Sequence, residues 1–144
     1  MMKSIPVWKQ ELSDGVHAAR LASLYCCSPA ETASEAARYT AVLDGLEKTF
    51  GSHAEAGLYS APGRTEIGGN HTDHQHGRVL AGSVNIDMIA AAAPNDKNLL
   101  RVQSEGYDLC VIDLNDLEAR KEEENTTAAL LRGECAAFTQ RGAK

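Results

Sequence analysis

The spacing of apolar residues changes along the chain, and this change constrains the fold more than any other feature. From Ala36 to Phe50, apolar residues recur three and four positions apart, which places them on one face of a helix that Gly51 ends. Further along, they form short strand-like runs instead. Helices followed by consecutive strands are typical of an α+β fold and not of a doubly wound sheet, in which strands and helices alternate. The sequence therefore predicts the α+β class.

The boundaries of the predicted elements follow from the same patterns and from capping residues. Ser28, Pro29 and Glu31 have the spacing of a capping box, which predicts the start of the second helix. The predicted helices cover about 12–25, 28–50 and 126–141, and the predicted strands cover about 57–60, 79–92, 99–104 and 109–114. One buried stripe is predicted on the last helix, formed by Ala128, Leu131, Cys135 and Phe138.

Composition argues against several classes of partner. The formal net charge is −6 and the basic residues are scattered, so neither nucleic acid nor an anionic membrane is an expected partner. No apolar run reaches the length of a membrane-spanning helix, and the first residues do not resemble a secretory leader, so the cytoplasm is the expected compartment. The four cysteines form no C-x-x-C pair and are expected to be reduced.

One stretch, from Ser60 to Gly77, concentrates groups that can hold a ligand. It carries Arg64, Asp73 and three histidines between glycines, and packing does not require this density of polar groups. An ionised Asp73 can accept hydrogen bonds from two neighbouring hydroxyls, and a guanidinium offers several donors to a phosphate oxygen or an alkoxide. These residues predict recognition of a polyhydroxyl ligand beside stabilisation of an anion.

The same residues allow other interpretations. A metal site is one of them, because imidazole is a good ligand for zinc, although no cysteine lies nearby. Asp73 could instead cap the next element through an Asx-turn, and Arg64 could be an ordinary surface ion-pair partner. The metal interpretation would use His71, Asp73, His74 and His76.

The order of these residues resembles the signature of the GHMP small-molecule kinases and, within them, the galactokinases. That signature has the form G-R-x-N-hydrophobic-I-G-E-H-T-D-Y and follows shortly after an alanine-proline pair. The resemblance covers roughly positions 57–107. This chain reads Gly63-Arg64-Thr65-Glu66-Ile67-Gly68-Gly69-Asn70-His71-Thr72-Asp73-His74.

The resemblance implies a role for each matching residue. Arg64 would be the active-site arginine that stabilises the nucleophilic oxygen of the sugar, and Ser104 would lie beside the nucleotide. Asn70 and His74 stand where the signature has glutamate and tyrosine, so position 70 keeps a hydrogen-bonding group but loses its charge. The residues implied to contact galactose or a related hexose are Asn70, His71, Thr72 and Asp73.

The resemblance also implies ATP and Mg²⁺ as cofactors and a ribosomal S5 domain 2-like fold, incomplete here. No G-L-G-S-S-type phosphate loop and no Walker motif occurs among the 144 residues, and ligands for Mg²⁺ are not expected in them. The expectation is the amino-terminal part of a galactokinase, an ATP-dependent sugar kinase, inactive by itself. It would have a helical segment over 1–52 and a partial kinase domain over 53–144.

Two further expectations complete the sequence-based interpretation. A non-catalytic sugar-binding or regulatory protein is the alternative to a kinase, with a histidine-rich metal-binding module as a further alternative. A sheet that lacks its remaining strands would also leave unpaired N–H and C=O groups at one edge. Self-association through this edge is therefore predicted.

Overall fold

The structure is a computed structural model that describes residues 1–69 and 72–142. It divides into two compact units, Met1–Pro94 and Asn95–Lys144. The first unit contains β1 (Met2–Lys3), α1 (Ile5–Ser13), α2 (Ala18–Tyr25), a 3₁₀ turn (Pro29–Glu31), α3 (Ala33–Phe50), β2 (Ala56–Gly68), a second 3₁₀ turn (Asp73–Gln75) and β3 (Leu80–Ala92). The second unit contains β4 (Leu99–Val102), β5 (Cys110–Asp113), a 3₁₀ turn (Lys121–Glu123) and α4 (Thr127–Gln140).

The first predicted helix, 12–25, is wrong in its extent. The structure has two helices here, and the first already begins at Ile5, with Pro6 in its first turn. Gly15 lies between the two helices with φ 72°, a left-handed conformation that glycine adopts without the steric cost of a side chain. The break lets both Leu12 of α1 and Leu21 of α2 reach the same hydrophobic core.

The helix predicted from 28 to 50 is confirmed over most of its length. The Glu31 carboxylate accepts hydrogen bonds from the Ser28 backbone N–H at 2.9 Å and from the Ser28 hydroxyl at 2.7 Å, as the capping pattern indicated. These residues form a short 3₁₀ turn, and the α-helix itself begins at Ala33. Gly51 follows its last residue, as predicted.

The core of the first unit lies between the helices and one face of the sheet. Leu43 of α3 is fully buried, and the Trp8 indole N–H donates to the Ala56 carbonyl at 2.8 Å, joining α1 to the start of β2. Leu58 and Ile89 of the sheet pack against this core. The helices of residues 1–52 thus pack on the sheet inside the first unit. The grouping of residues 53–144 into one partial kinase domain stays a prediction. The fully buried or nearly buried core residues are Ile5, Trp8, Leu12, Leu21, Tyr25, Tyr39, Leu43, Leu46 and Ala56.

The sheet of the first unit is antiparallel, in the order β1-β2-β3. The strand predicted over 57–60 is too short, because β2 continues through Pro62 and Gly63 to Gly68. The ladder with β3 persists through two irregularities, between Pro62 and Arg64 and between Glu66 and Gly68. β3 matches the strand predicted over 79–92. Pairing with β3 therefore extends β2 beyond Pro62 and Gly63, residues that locally predict the end of a strand.

The second unit contains an antiparallel β4–β5 hairpin and α4, near the predicted positions. The stripe predicted on α4 is wrong at Phe138, which is 59% exposed. The buried side chain of this helix is instead Arg132, which makes two hydrogen bonds to the Glu123 carboxylate, at 2.8 and 2.7 Å. A periodicity rule based on apolar residues overlooks a buried arginine whose charge is paired.

These elements confirm the α+β class. Among the residues that the structure describes, no helix is both long enough and apolar enough to cross a membrane.

Candidate functional site

Arg64 lies on strand β2 of the sheet and not on a loop. Its partner across the ladder is Ser83, and a β-bulge separates this pair from the preceding pair, Pro62 and Asp87. Arg64 is exposed, and no hydrogen bond or ion pair joins it to another residue within 1–69 and 72–142. A guanidinium in this position can donate to an anionic oxygen of a ligand.

The connection from β2 to β3 is closed by its own hydrogen bonds. The Thr72 hydroxyl donates to the Gly69 carbonyl at 2.8 Å. The Thr72 carbonyl accepts from the backbone N–H groups of Gln75, at 3.0 Å, and Gly77, at 2.8 Å. Residues 72–77 therefore form a compact turn with a defined backbone, and not an extended linker.

Two glycines make this turn sterically possible. A Cβ on Gly77 would lie 2.1 Å from the Thr72 hydroxyl oxygen and 2.7 Å from the Thr72 carbonyl oxygen. A Cβ on Gly69, whose φ is 113°, would lie 2.6 Å from the Arg78 carbonyl oxygen. Only glycine fits at such distances, so both ends of the connection approach the neighbouring backbone more closely than any side chain permits.

The other predicted sugar contacts lie in or next to this connection. Asn70 and His71 lie outside the described residues. Asp73 begins the 3₁₀ turn Asp73–Gln75, but its side chain is outside the description. Thr72 is partly buried, and its hydroxyl already donates within the turn, although the hydroxyl oxygen retains acceptor capacity. The roles of these residues stay predictions.

The metal interpretation and the nucleotide contact also stay untested. Within the described ranges, no cluster of three or more histidine, cysteine or acidic residues could hold a metal ion. His71 and the Asp73 side chain are not included in that statement. Ser104 is exposed in the turn after β4, in the second unit, and its carbonyl accepts from the Tyr107 N–H at 3.1 Å. Its proposed contact with a nucleotide therefore remains a prediction.

Sequence reasoning missed a partly buried polar network centred on Asp87. This carboxylate accepts from the Tyr25 hydroxyl at 2.6 Å, the Ser60 hydroxyl at 2.5 Å and the Arg38 guanidinium at 2.9 Å. The Tyr25 hydroxyl also lies 3.1 Å from that of Tyr39. Asp87 is the only charged residue in β3, and a lone charge in an otherwise uncharged strand was the signal that could have indicated the network.

The network changes the protonation equilibria of its members. Burial raises the pKa of Asp87, but the hydrogen bonds from Ser60, Tyr25 and Arg38 together outweigh burial, and the net pKa lies below its usual value. Burial, and then the hydrogen bond to Asp87, raise the pKa of Tyr25 far above its usual value. Near neutral pH, the pair is therefore an ionised carboxylate accepting from a neutral phenol.

The pH dependence of stability provides a test of this network. Because the pKa of Asp87 is lower in the folded state, its contribution to stability is complete above its unfolded pKa of about 4 and is lost as the pH falls through the folded pKa. We expect the difference in unfolding free energy between the wild type and Asp87→Asn to shrink as the pH falls below about 4 and through the lower pKa of the folded state. Urea unfolding at several pH values measures it. A constant difference would contradict a lowered pKa.

Comparisons with known proteins agree in the segment that they match. The family model of the galactokinase galactose-binding signature matches residues 46–94. The galactokinase of Ligilactobacillus salivarius is 35% identical over 83 residues, which cover 56% of this chain and 21% of that relative. The galactokinase of Streptococcus mutans serotype c is 36% identical over 67 residues, 46% of this chain and 17% of that relative. The chain thus spans about a fifth of the curated relatives it matches. No solved structure matches it.

Proposed function

We propose that the first unit of this chain binds galactose or a related hexose. Residues 46–94 match the family model of the galactokinase galactose-binding signature, and over this segment the chain is similar to the galactokinases. The signature match is the observation that carries the proposal. It begins near the end of α3, includes β2, the glycine-bounded turn and β3, and ends at Pro94, the last residue of the first unit. The match therefore includes both long strands of the sheet and the turn between them.

In the proposed site, the turn after β2 presents hydrogen-bonding groups to the hydroxyls of the sugar. The carboxylate of Asp73 accepts from two of them, and Asn70, His71 and Thr72 hydrogen-bond around it. Arg64 supplies positive charge at the oxygen that acts as the nucleophile. A cation placed where negative charge develops stabilises the transition state more than the ground state, and this difference accelerates the reaction.

The reaction proposed for the complete enzyme is transfer of the γ-phosphoryl group of ATP to the C1 hydroxyl of galactose. Mg²⁺ would neutralise charge on the phosphates, and Ser104 would lie beside the nucleotide. Support comes from relatives that are named galactokinases. The ribosomal S5-like GHMP-kinase fold and a cytoplasmic location belong to the same proposal.

Replacing Asp73 with alanine tests the sugar site. We expect the affinity for galactose to fall at least about tenfold, because sugar hydroxyls lose an acceptor worth roughly 1–3 kcal/mol in a partly desolvated pocket. Calorimetric titration measures the affinity. Asp96→Ala is the matched control, since Asp96 is exposed in the connection after β3 and should leave the affinity unchanged. Titrations with glucose and N-acetylgalactosamine then establish which hexose is preferred.

Metal analysis on the same samples separates the sugar site from the metal module. A stoichiometric ion in the wild type that is lost in His71→Ala or His74→Ala, together with unchanged galactose affinity in Asp73→Ala, would replace the sugar assignment by a metal site. Negligible zinc and weaker sugar binding would support the assignment.

A non-catalytic sugar-binding protein is the second candidate, because the family model that matches this chain is that of the galactose-binding signature. These residues alone are expected to bind galactose without phosphorylating it when ATP and Mg²⁺ are supplied. Thin-layer or coupled assays for galactose 1-phosphate measure this. Turnover that Arg64→Ala abolishes would show that the chain is catalytic by itself.

A further inference from the structure

The Asp87 side chain is almost completely buried, with 3% of it exposed, and it joins three elements of the first unit. Its donors are Tyr25 on α2, Arg38 on α3 and Ser60 on β2. The carboxylate therefore connects the helical layer to both long strands of the sheet. No other charged side chain occurs in β3.

The position of this network along the ladder relates it to Arg64. Asp87 pairs with Pro62, whereas Arg64 pairs with Ser83. Three residues of β3 lie opposite Gly63 between these pairs, so the regular ladder is interrupted there. The direction in which β2 continues toward Arg64 consequently depends on how firmly the strands are held on the Asp87 side of the bulge.

A close backbone approach adds to this dependence. A Cβ on Gly63 would lie 3.1 Å from the Ile86 carbonyl oxygen and 3.2 Å from a Val84 methyl carbon. The bulge is therefore tightly packed, and a shift of one strand along the other would be transmitted to Arg64 instead of being absorbed by empty space.

The chemistry of Asp87 also indicates more than packing. Removing a carboxylate from water is costly, and an apolar side chain of similar size would fill the same volume at a lower cost. Three directional hydrogen bonds offset this cost, and the one from Ser60 of β2 depends on the register of β2 on β3. A buried charge of this kind specifies geometry.

We propose that Asp87 is a positioning residue that fixes the register of β2 at the bulge and thereby aims the Arg64 guanidinium at the ligand. Asp87 does not touch the ligand and acts through Ser60 and the β2 backbone. This inference rests on the proposed function, in which Arg64 contacts an oxygen of the sugar.

A double-mutant cycle tests the proposal. Asp87→Asn preserves the shape of the side chain but exchanges one acceptor oxygen for a donor, and we expect the affinity for galactose to fall about tenfold while the chain remains folded. In an Arg64→Ala background, the same change should lower the affinity no more than about twofold, because the group being positioned is absent. Equal losses in the two backgrounds would overturn the proposal and leave Asp87 a role in stability alone.

Glu35→Gln is the matched control. Glu35 is the other carboxylate bound by Arg38, at 2.5 Å on the surface of α3, and its loss should leave both the Asp87 contact and the affinity unchanged. Should Asp87→Asn not fold, Ser60→Ala removes one donor and replaces it in the cycle. A Ser60→Ala effect that is independent of Arg64 would equally overturn the proposal.

An NMR measurement on the ligand-free protein separates this inference from the proposed function. Asp87→Asn should weaken the cross-strand NOE between Arg64 and Ser83 and shift the Arg64 side-chain N–H resonance, whereas Glu35→Gln should change neither. If the wild type does not bind galactose, the proposed function fails, and these spectra still decide the role of Asp87. Unchanged spectra in Asp87→Asn would overturn it.

Discussion

Replacing Gly77 with alanine is expected to lower the affinity for galactose about a hundredfold. The added Cβ would lie 2.1 Å from the Thr72 hydroxyl oxygen and 2.4 Å from the Thr72 Cβ, so the turn that carries the predicted sugar contacts cannot close. Several ligand hydrogen bonds of about 1 kcal/mol each are then lost together, which exceeds the effect of any single contact. Calorimetric titration with galactose measures the loss.

Gly68→Ala is the matched control for this change. Gly68 is the last residue of β2, just before the connection that contains the turn, yet a Cβ there would meet no atom within 4 Å. We expect this variant to retain wild-type affinity. Equal losses in Gly68→Ala and Gly77→Ala would mean that glycine matters here for flexibility and not for the close approach of residue 77 to Thr72. Wild-type affinity in Gly77→Ala would remove the turn from the proposed site.

Self-association through β3 is the second large expected effect. In the described residues, β3 pairs with β2 along one edge only, and Ile86 and Met88 expose 76% and 77% of their surface. Unpaired strand edges with exposed apolar side chains favour pairing with another chain. The wild type should therefore sediment as a dimer or larger species at micromolar concentrations, and Met88→Lys should shift it to the monomer.

A second lysine variant makes the sedimentation test specific. Val16 is 63% exposed between α1 and α2 and belongs to no strand, and Val16→Lys should leave the association unchanged. If both variants dissociate the assembly, a general effect of charge explains the result. A wild-type monomer over the whole concentration range would show that the β3 edge does not mediate association.

The sequence predicted well those helices and strands that depend on contacts between residues close together in the chain. The helix that ends before Gly51, the capping pattern at Ser28 and the strand over β3 depend on neighbours within a few positions, and periodicity reports such relations directly. The candidate site was found for a related reason, because Arg64 and the turn residues are close together in sequence. Their proposed roles came from resemblance to a family and not from periodicity.

Local patterns gave less information where pairing over long distances overrides them. Pro62 and Gly63 usually end a strand, but pairing with β3 continues β2 through a bulge as far as Gly68, and this pairing places Arg64 on the sheet. The break at Gly15 likewise depends on which residues of α1 and α2 reach the core. Propensity alone decides neither outcome, because tertiary packing can exceed the small preferences of single residues.

The sequence by itself determined the α+β class, the main helices and the segment that carries the galactokinase signature, because these are written in the order and spacing of nearby residues. Only the tertiary structure decided that Asp87 joins the helices to the sheet, since its partner Tyr25 lies 62 positions away in the chain. It also decided that Gly77 must be glycine, because the atoms that exclude a Cβ belong to Thr72 in the closed turn. Contacts of this kind exist only after the chain has folded, since both the approach of Thr72 and the burial of Asp87 are consequences of packing.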